Sequence, residues 1–217
     1  MIIPEEKVYA VLDTGREMVS SGLVAGTWGN ISVRLSDQTL LITPSGVPYT
    51  ELEADDLVVV NLDGEVVKGR LKPSSETRMH TAIYRQRQDV MGIVHTHSPY
   101  ASVFAVTHKC LPPVMEEMAM LLGGAVQVAP YRPAGSAELA AAAVEALADR
   151  SAVFLANHGV VGVGPSLEEA LLVCRIVEKG ALVYLLSQLT GTPQLIEEDQ
   201  VRELRRNYLE YYGQRKV

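Results

Sequence analysis

The sequence predicts an α/β layered domain, and three observations predict it. Segments with helical spacing alternate with short apolar runs of strand type, several of those runs are joined by tight polar turns, and no repeat, low-complexity segment or linker divides the chain. At 217 residues, with 47% hydrophobic and 21% charged residues, the chain is long enough for one substantial core, so residues 1–217 are read as a single domain.

Pro4 to Gly22 carries Val8, Leu12 and Val19 at helical spacing and ends on glycine, the pattern of an opening amphipathic helix. Alternation follows. Ile31, Val33 and Leu35 and the run Thr39 to Thr43 read as two strands joined by a polar turn, and Leu57 to Val67 reads as a hairpin around Asp63-Gly64. These strands suit antiparallel pairing. After Pro73, the residues Thr77, His80, Ile83 and Tyr84 mark a helix, with Ser74 or Ser75 placed to cap it. Gly92 to His97 is a short strand, Tyr100 to Val106 a helix and Val126 to Pro130 a strand. The alanine-rich stretch Ser136 to Ala148 is a helix capped by Ser136. Ala152 to Ala156 and Val160 to Val163 are β-type runs on either side of Asn157-His158-Gly159. The longest helix runs from Pro165-Ser166 to about Leu189, and a last one covers Glu197 to Tyr212.

Composition excludes some classes of function. A formal charge of −7 argues against non-specific nucleic-acid binding, which needs a positive face, so an anionic ligand must be held locally. The arginines Arg202, Arg205 and Arg206 are interleaved with glutamates and read as a solvated helix face. The first residues have no basic start before a long apolar run, and no stretch is apolar enough to span a bilayer. Cys110 and Cys174 lie in apolar surroundings at no metal-like spacing and read as buried free thiols, which suits a reducing cytoplasm.

Chemistry concentrates in Val94-His95-Thr96-His97. Alternate residues of a strand face one side and lie roughly 7 Å apart, within reach of one ion. Histidine is scarce, five in all, and a third candidate, His158, sits between two apolar runs. Three neutral imidazoles with an open position describe a catalytic metal site; spacing alone also allows satisfied core or surface histidines. His80 and His108 have no matching partners in the sequence and read as structural. Three turns rich in glycine and hydroxyls, Gly26 to Asn30, Thr43 to Gly46 and Pro73 to Glu76, could together cradle a phosphate, although each alone is an ordinary turn. Glu76 directly follows the third turn, where a carboxylate near a metal can ligate it or move a proton.

The series GTWGNISVR, LLITPSGVPY, KPSSETRMH, GIVHTHSPYA and ANHGVVGVG, in that order between Gly26 and about Glu178, resembles the class II aldolase/adducin family, and within it the L-fuculose-1-phosphate aldolase-like enzymes. The resemblance implies a three-layer α/β/α sandwich around a mainly antiparallel sheet and a homotetramer with active sites at subunit interfaces. It also implies that His95, His97, His158 and Glu76 hold a divalent metal, zinc in first place, with manganese, cobalt or iron also suited to the ligand set. Glu76 matches the carboxylate that then moves the proton, and Gly29, Asn30, Ser45, Gly46, Ser74 and Ser75 match the phosphate-binding turns. The implied activity is reversible cleavage of a phosphorylated keto-sugar to dihydroxyacetone phosphate and an aldehyde.

The epimerase branch of the family carries aspartate where Glu76 stands, the dehydratase branch lacks the Ser-Ser-Glu turn, and the adducin branch lacks the metal histidines. One position departs from the fuculose-phosphate pattern. Counting back from Gly123-Gly124, Glu117 stands where those enzymes carry a proton-transferring tyrosine, with Glu116 as second choice. The departure points toward 5-deoxyribulose or methylthioribulose 1-phosphate as substrate type. Trp28, the stretch Tyr131 to Gly135 and the tyrosines Tyr208, Tyr211 and Tyr212 are candidates for reading the far end of the sugar.

Overall fold

Most of the strand segments are apolar on both faces, which commits a sheet to being covered on both sides. In the computed structural model, which describes residues 3–211, that is how the chain folds. The strands are β1 (Asn30–Ser36), β2 (Thr39–Ile42), β3 (Val58–Asn61), β4 (Val66–Lys68), β5 (Gly92–Thr96), β6 (Gln127–Ala129), β7 (Ala152–Leu155) and β8 (Gly159–Gly164). They form one eight-stranded sheet in the order β4-β3-β2-β1-β5-β8-β7-β6. Every neighbouring pair is antiparallel except β6 and β7. That one parallel pair is joined by a crossover helix, the connection a parallel pair requires. The sheet is therefore mixed, and antiparallel in the main.

The helices are α1 (Glu5–Ser20), α2 (Thr77–Gln86), α3 (Pro99–Thr107), α4 (Glu116–Leu122), α5 (Ala137–Leu147), α6 (Leu167–Thr190) and α7 (Glu198–Tyr211). On one face, α2 and α5 bury Leu40, Ile42, Val60, Ile93, Val153 and Val161 of the sheet. On the other, α1 and α6 cover Ile31, Val33, Leu41 and Val94, while α3, α4 and α6 cover Phe154 and Val160. Leu40 and Leu41 lie on opposite faces, as a period of two dictates.

Two of the serine caps form as hydroxyl acceptors. Ser136 Oγ accepts from Leu139 N at 3.0 Å and Ser166 Oγ from Glu169 N at 3.2 Å. The start of α2 differs from expectation. Neither Ser74 nor Ser75 occupies the cap position; Glu76 does, with its side chain making no capping bond, while Ser74 Oγ accepts from Glu76 N at 3.2 Å. The Glu76 carboxylate is thus left for other partners.

One helix escapes the sequence reading, and two further expectations are corrected. Helix α4 is an element in its own right, ended by Gly123 in a left-handed conformation (φ 77°). Cys174 is buried, and burial pushes its thiol up to about 12, but Cys110 is exposed because it lies in the turn that follows α3; both are free. Arg205 is not on a solvated face: its guanidinium donates to the carbonyls of Met120 (2.9 Å) and Leu121 (2.7 Å) and to Ser151 Oγ (3.0 Å), tying α7 to the end of α4.

Arg202, one turn away, pairs among the described residues with the exposed Glu198 and Asp199. Removing a guanidinium that serves three acceptors costs about 1.5–3 kcal/mol, whereas isolated surface pairs contribute little. Arg205→Ala is therefore expected to lower the midpoint of urea unfolding clearly and Arg202→Ala to leave it in place; equal midpoints for the two variants would refute the anchoring role.

Candidate functional site

The centre of the sheet assembles the site. Ile93 and His95 of β5 share the face covered by α2, and His97 follows directly after the strand. Pairing of β1 with β5 sets Asn30 opposite His95, and pairing of β5 with β8 sets Val161 opposite His95. His158 sits in the tight β7–β8 hairpin, between the paired residues Leu155 and Gly159. Asn157 makes the turn with φ 55°, a conformation asparagine tolerates. Its Oδ1 lies 2.7 Å from His108 Nε2 and its amide donates to Ala105 O at 3.1 Å, so the hairpin is pinned to the end of α3. Gly159 is required by close approach: a side chain there would strike the Thr96 carbonyl and lie 3.0 Å from the His97 ring and 3.1 Å from the His95 ring.

The three histidines converge. Their ring centroids are 4.8, 4.8 and 5.0 Å apart, and one nitrogen from each lies within 4.8 Å of the others. His95 Nδ1 lies 3.0 Å from Val160 O and donates to it, which turns Nε2 toward His97 Nε2 at 3.0 Å and Glu76 Oε2 at 3.1 Å. His158 Nε2 lies 3.5 Å from Glu76 Oε1. Asn30 Nδ2 donates to Glu76 Oε2 at 2.9 Å. Oε1 is buried and has no hydrogen-bond partner among the described residues.

The charges follow from this geometry. Burial works to raise the Glu76 pKa, but the charge and hydrogen bond of His95, the charge of His158 and the Asn30 amide outweigh it and hold the carboxyl well below its usual range. Burial likewise opposes protonation of His95, yet the Glu76 carboxylate raises it. His97 is lowered to about 3 and His158 is also lowered, by burial first and by the neighbouring His95 next.

The arrangement fits a divalent cation. His95 Nε2 and His97 Nε2 face each other across 3.0 Å, a carboxylate stands beside them, and one of its oxygens is buried with no hydrogen-bond partner among the described residues. With both nitrogens unprotonated, as metal ligation requires, their lone pairs repel unless a single positive centre lies between them. The Val160 carbonyl supplies the outer hydrogen bond that fixes a ligating imidazole.

A cleft of about 270 Å³ opens over this cluster, lined by Glu76, His97 and His158 and by the three turns singled out in the sequence: Thr27 to Asn30, Pro44 to Gly46 and Ser74-Ser75. Two of the turns are stitched together by a bridge between Pro44 and Pro73, with Ser74 N donating to Thr43 O at 3.0 Å. Gly29 takes φ 82°, and a side chain there would approach the His95 carbonyl to 2.5 Å, so glycine is what lets this turn lie against β5. Trp28, the sole tryptophan of the chain, stacks on His97 at 5.8 Å and is 66% exposed at the rim. A roomier hollow of about 430 Å³ beside α7 has no imidazole in its lining, so chemistry and not size marks the site.

Gly29, Asn30, Ser45, Gly46, Ser74, Ser75, Glu76, His95, His97 and His158 are thus brought to one place. Glu117 is not: it lies at the start of α4, paired with Lys179 at 2.9 Å, and Glu116 lines a separate hollow against α7. Of the distal candidates, Trp28 and Ala134 line the cleft and Tyr131 is exposed. Tyr208 and Tyr211 lie on α7, and Tyr212 is outside the described residues. His80, read from the sequence as structural and without a matching partner, is fully buried and hydrogen-bonded to Asn30 beside the site. Its spacing four residues after Glu76, one helical turn, is the signal that could have found it.

Known proteins share this design. The chain is 42% identical over 215 residues to a 5-deoxy-D-ribulose 1-phosphate aldolase of Bacillus thuringiensis serovar kurstaki, covering 99% of this chain and 100% of that one. It is 34% identical over 203 residues to a 5-methylthioribulose-1-phosphate/5-deoxyribulose-1-phosphate aldolase of Rhodospirillum rubrum, covering 94% and 91%. Among solved structures, an L-fuculose 1-phosphate aldolase superposes with a TM-score of 0.91 at 34% identity, over 95% of this chain and 97% of that one. Residues 9–185 match the family described as class II aldolase and adducin N-terminal domain, which takes in every residue of the histidine cluster and its cleft, and to that family the chain belongs.

Proposed function

We propose that this protein is a metal-dependent aldolase that reversibly cleaves a ketose 1-phosphate into dihydroxyacetone phosphate and an aldehyde, with a 5-deoxyribulose or 5-methylthioribulose type of sugar as substrate. The observation that carries the reading is an ionised, buried carboxylate with one unpartnered oxygen, set among three convergent imidazoles under a cleft of glycine and hydroxyl turns. Residues 1–217 act as one domain, in the cytoplasm, where two free thiols are stable. No helix among the described residues is long and apolar enough to cross a membrane.

Zinc suits three imidazoles and a carboxylate best. His95, His97, His158 and Glu76 would hold it, and it would supply Lewis acidity to the carbonyl and neighbouring hydroxyl of the substrate. The remaining work falls to the protein. Backbone and hydroxyl donors of Gly29-Asn30, Ser45-Gly46 and Ser74-Ser75 bind the phosphate and fix C3 and C4 over the cluster. A base takes the C4 hydroxyl proton, the C3–C4 bond breaks, its electron pair is drawn toward the C2 carbonyl, and C4 leaves as the carbonyl carbon of the aldehyde. Glu76, which takes up a proton from solvent before this step, delivers it to C3, and the base releases the C4 hydroxyl proton to solvent in exchange, which completes dihydroxyacetone phosphate.

The base we assign is Glu117 of a neighbouring subunit in a homotetramer. In its own chain it stands outside the cleft, and a hydrogen bond from Lys179 lowers the pKa of its carboxyl, which keeps it ionised. Trp28 gives the rim an apolar wall suited to a methyl or thioether end of the sugar, which agrees with the substrates named for the two relatives.

Three outcomes are expected. Enzyme stripped of metal by a chelator loses activity and regains it with zinc, and the loaded enzyme forms dihydroxyacetone phosphate from a 5-deoxyketopentose 1-phosphate in a coupled assay; cleavage that persists without metal would sink the assignment. Glu76→Gln lowers kcat by roughly a hundredfold or more while substrate still binds, as loss of a general acid-base group predicts; undiminished turnover would remove Glu76 from the mechanism. Trp28→Ala reduces kcat/KM for 5-deoxyribulose 1-phosphate about tenfold relative to ribulose 1-phosphate, the scale on which an apolar contact discriminates; an unchanged ratio would take Trp28 out of substrate recognition.

A further inference from the structure

Beneath α2, the groups on one face of β1 form a hydrogen-bonded chain that runs from Glu76 through Asn30 and His80 to Ser32. The Asn30 amide donates through Nδ2–H to Glu76 Oε2 at 2.9 Å. Asn30 Oδ1 then faces His80 Nε2 at 2.6 Å, and that nitrogen must carry a proton. His80 is fully buried. On the other side of its ring, Nδ1 lies 2.6 Å from Ser32 Oγ, which holds the ring in place. Tyr84 completes the chain by donating to Ser32 O at 3.0 Å. Reversing the Asn30 amide would set its oxygen against the oxygens of Glu76, so its orientation, and with it the proton on His80 Nε2, has one sense.

This order makes the two oxygens of Glu76 unequal. Oε2 is held by Asn30 and faces His95, whereas Oε1 is buried with no partner among the described residues and lies 3.5 Å from His158. We infer that His80 is a positioning residue: through the Asn30 amide it anchors Oε2 of Glu76 and leaves Oε1 as the oxygen that carries the substrate proton. The inference rests on the reading of Glu76 as the proton carrier, and it gives the Asn30 side chain a task apart from phosphate binding, to which its backbone still contributes.

The test is His80→Phe, which keeps an aromatic ring and removes both polar contacts. Metal content and KM for the ketose phosphate are expected to stay within about twofold, with kcat falling roughly 10–100-fold, the usual effect of losing an outer hydrogen-bond partner. His80→Gln, able to donate to Asn30 and accept from Ser32, is expected to recover most of that loss. Because the phenylalanine variant could fail to fold, nitrogen-15 NMR of the zinc-loaded wild type gives a second readout: His80 is expected as the Nε2–H tautomer, and Ser32→Ala is expected to mix the tautomers and lower kcat. An Nδ1–H tautomer in the wild type, full kcat in folded His80→Phe, or equal losses of metal and kcat in the Phe and Gln variants would each overturn the role. If Glu76→Gln is inactive while His80→Phe is not, only the positioning role fails; if Glu76→Gln retains turnover, the reading beneath it fails first.

Discussion

The structure turns on one buried carboxylate. An ion out of water is tolerated only where opposite charge and hydrogen bonds replace the lost hydration, and each replacement around Glu76 comes from a different part of the chain. Asn30 comes from β1, His95 from β5 and His158 from the β7–β8 hairpin. The three central strands must therefore be adjacent, in register and covered by α2, which delivers Glu76 from its cap position. The outer strands, by contrast, complete the sheet without touching the site.

Much of this is legible in the amino-acid sequence. Alternation puts His95 on one side of a strand, the Asn157-His158-Gly159 junction marks a second ligand position, and serines 136 and 166 mark helix starts. What escapes is the environment of polar residues. Asn30, Ser32 and Arg34 alternate with apolar neighbours as a strand facing water would, yet they are only 4%, 0% and 4% exposed. Their polar partners lie 46 to 56 residues away in sequence, where no local pattern reaches. Arg34 is satisfied by the carbonyls of Tyr84, Arg87 and Val90 and covers the Tyr84 ring at 4.7 Å. Arg205 escapes for the same reason, since a run of arginines and glutamates looks solvated until the acceptors at the end of α4 are known. Cys110 shows the converse: apolar neighbours in sequence do not make it buried.

The cleft divides its labour by chemistry. Its floor is made of ionisable groups held rigidly by the sheet, its sides of turns whose shape depends on glycine and proline, and its rim of one large aromatic. Rigid placement belongs to the part where bonds change, since a displacement of an ångström there is costly. Recognition is left to loops, which vary more freely on a fixed scaffold.

The hydrogen bonds that build the site also decide when in folding it can exist. Asn30 to Glu76 spans 46 residues and His95 to Val160 spans 65, so the cluster has no local precursor and closes only when the long-range strand pairing is complete. No excised hairpin or helix pair would retain it. A cation bound there recognises the native chain and not the unfolded one, so its affinity is stability of the whole fold by mass action, and the domain's resistance to unfolding rises and falls with the metal supply around it.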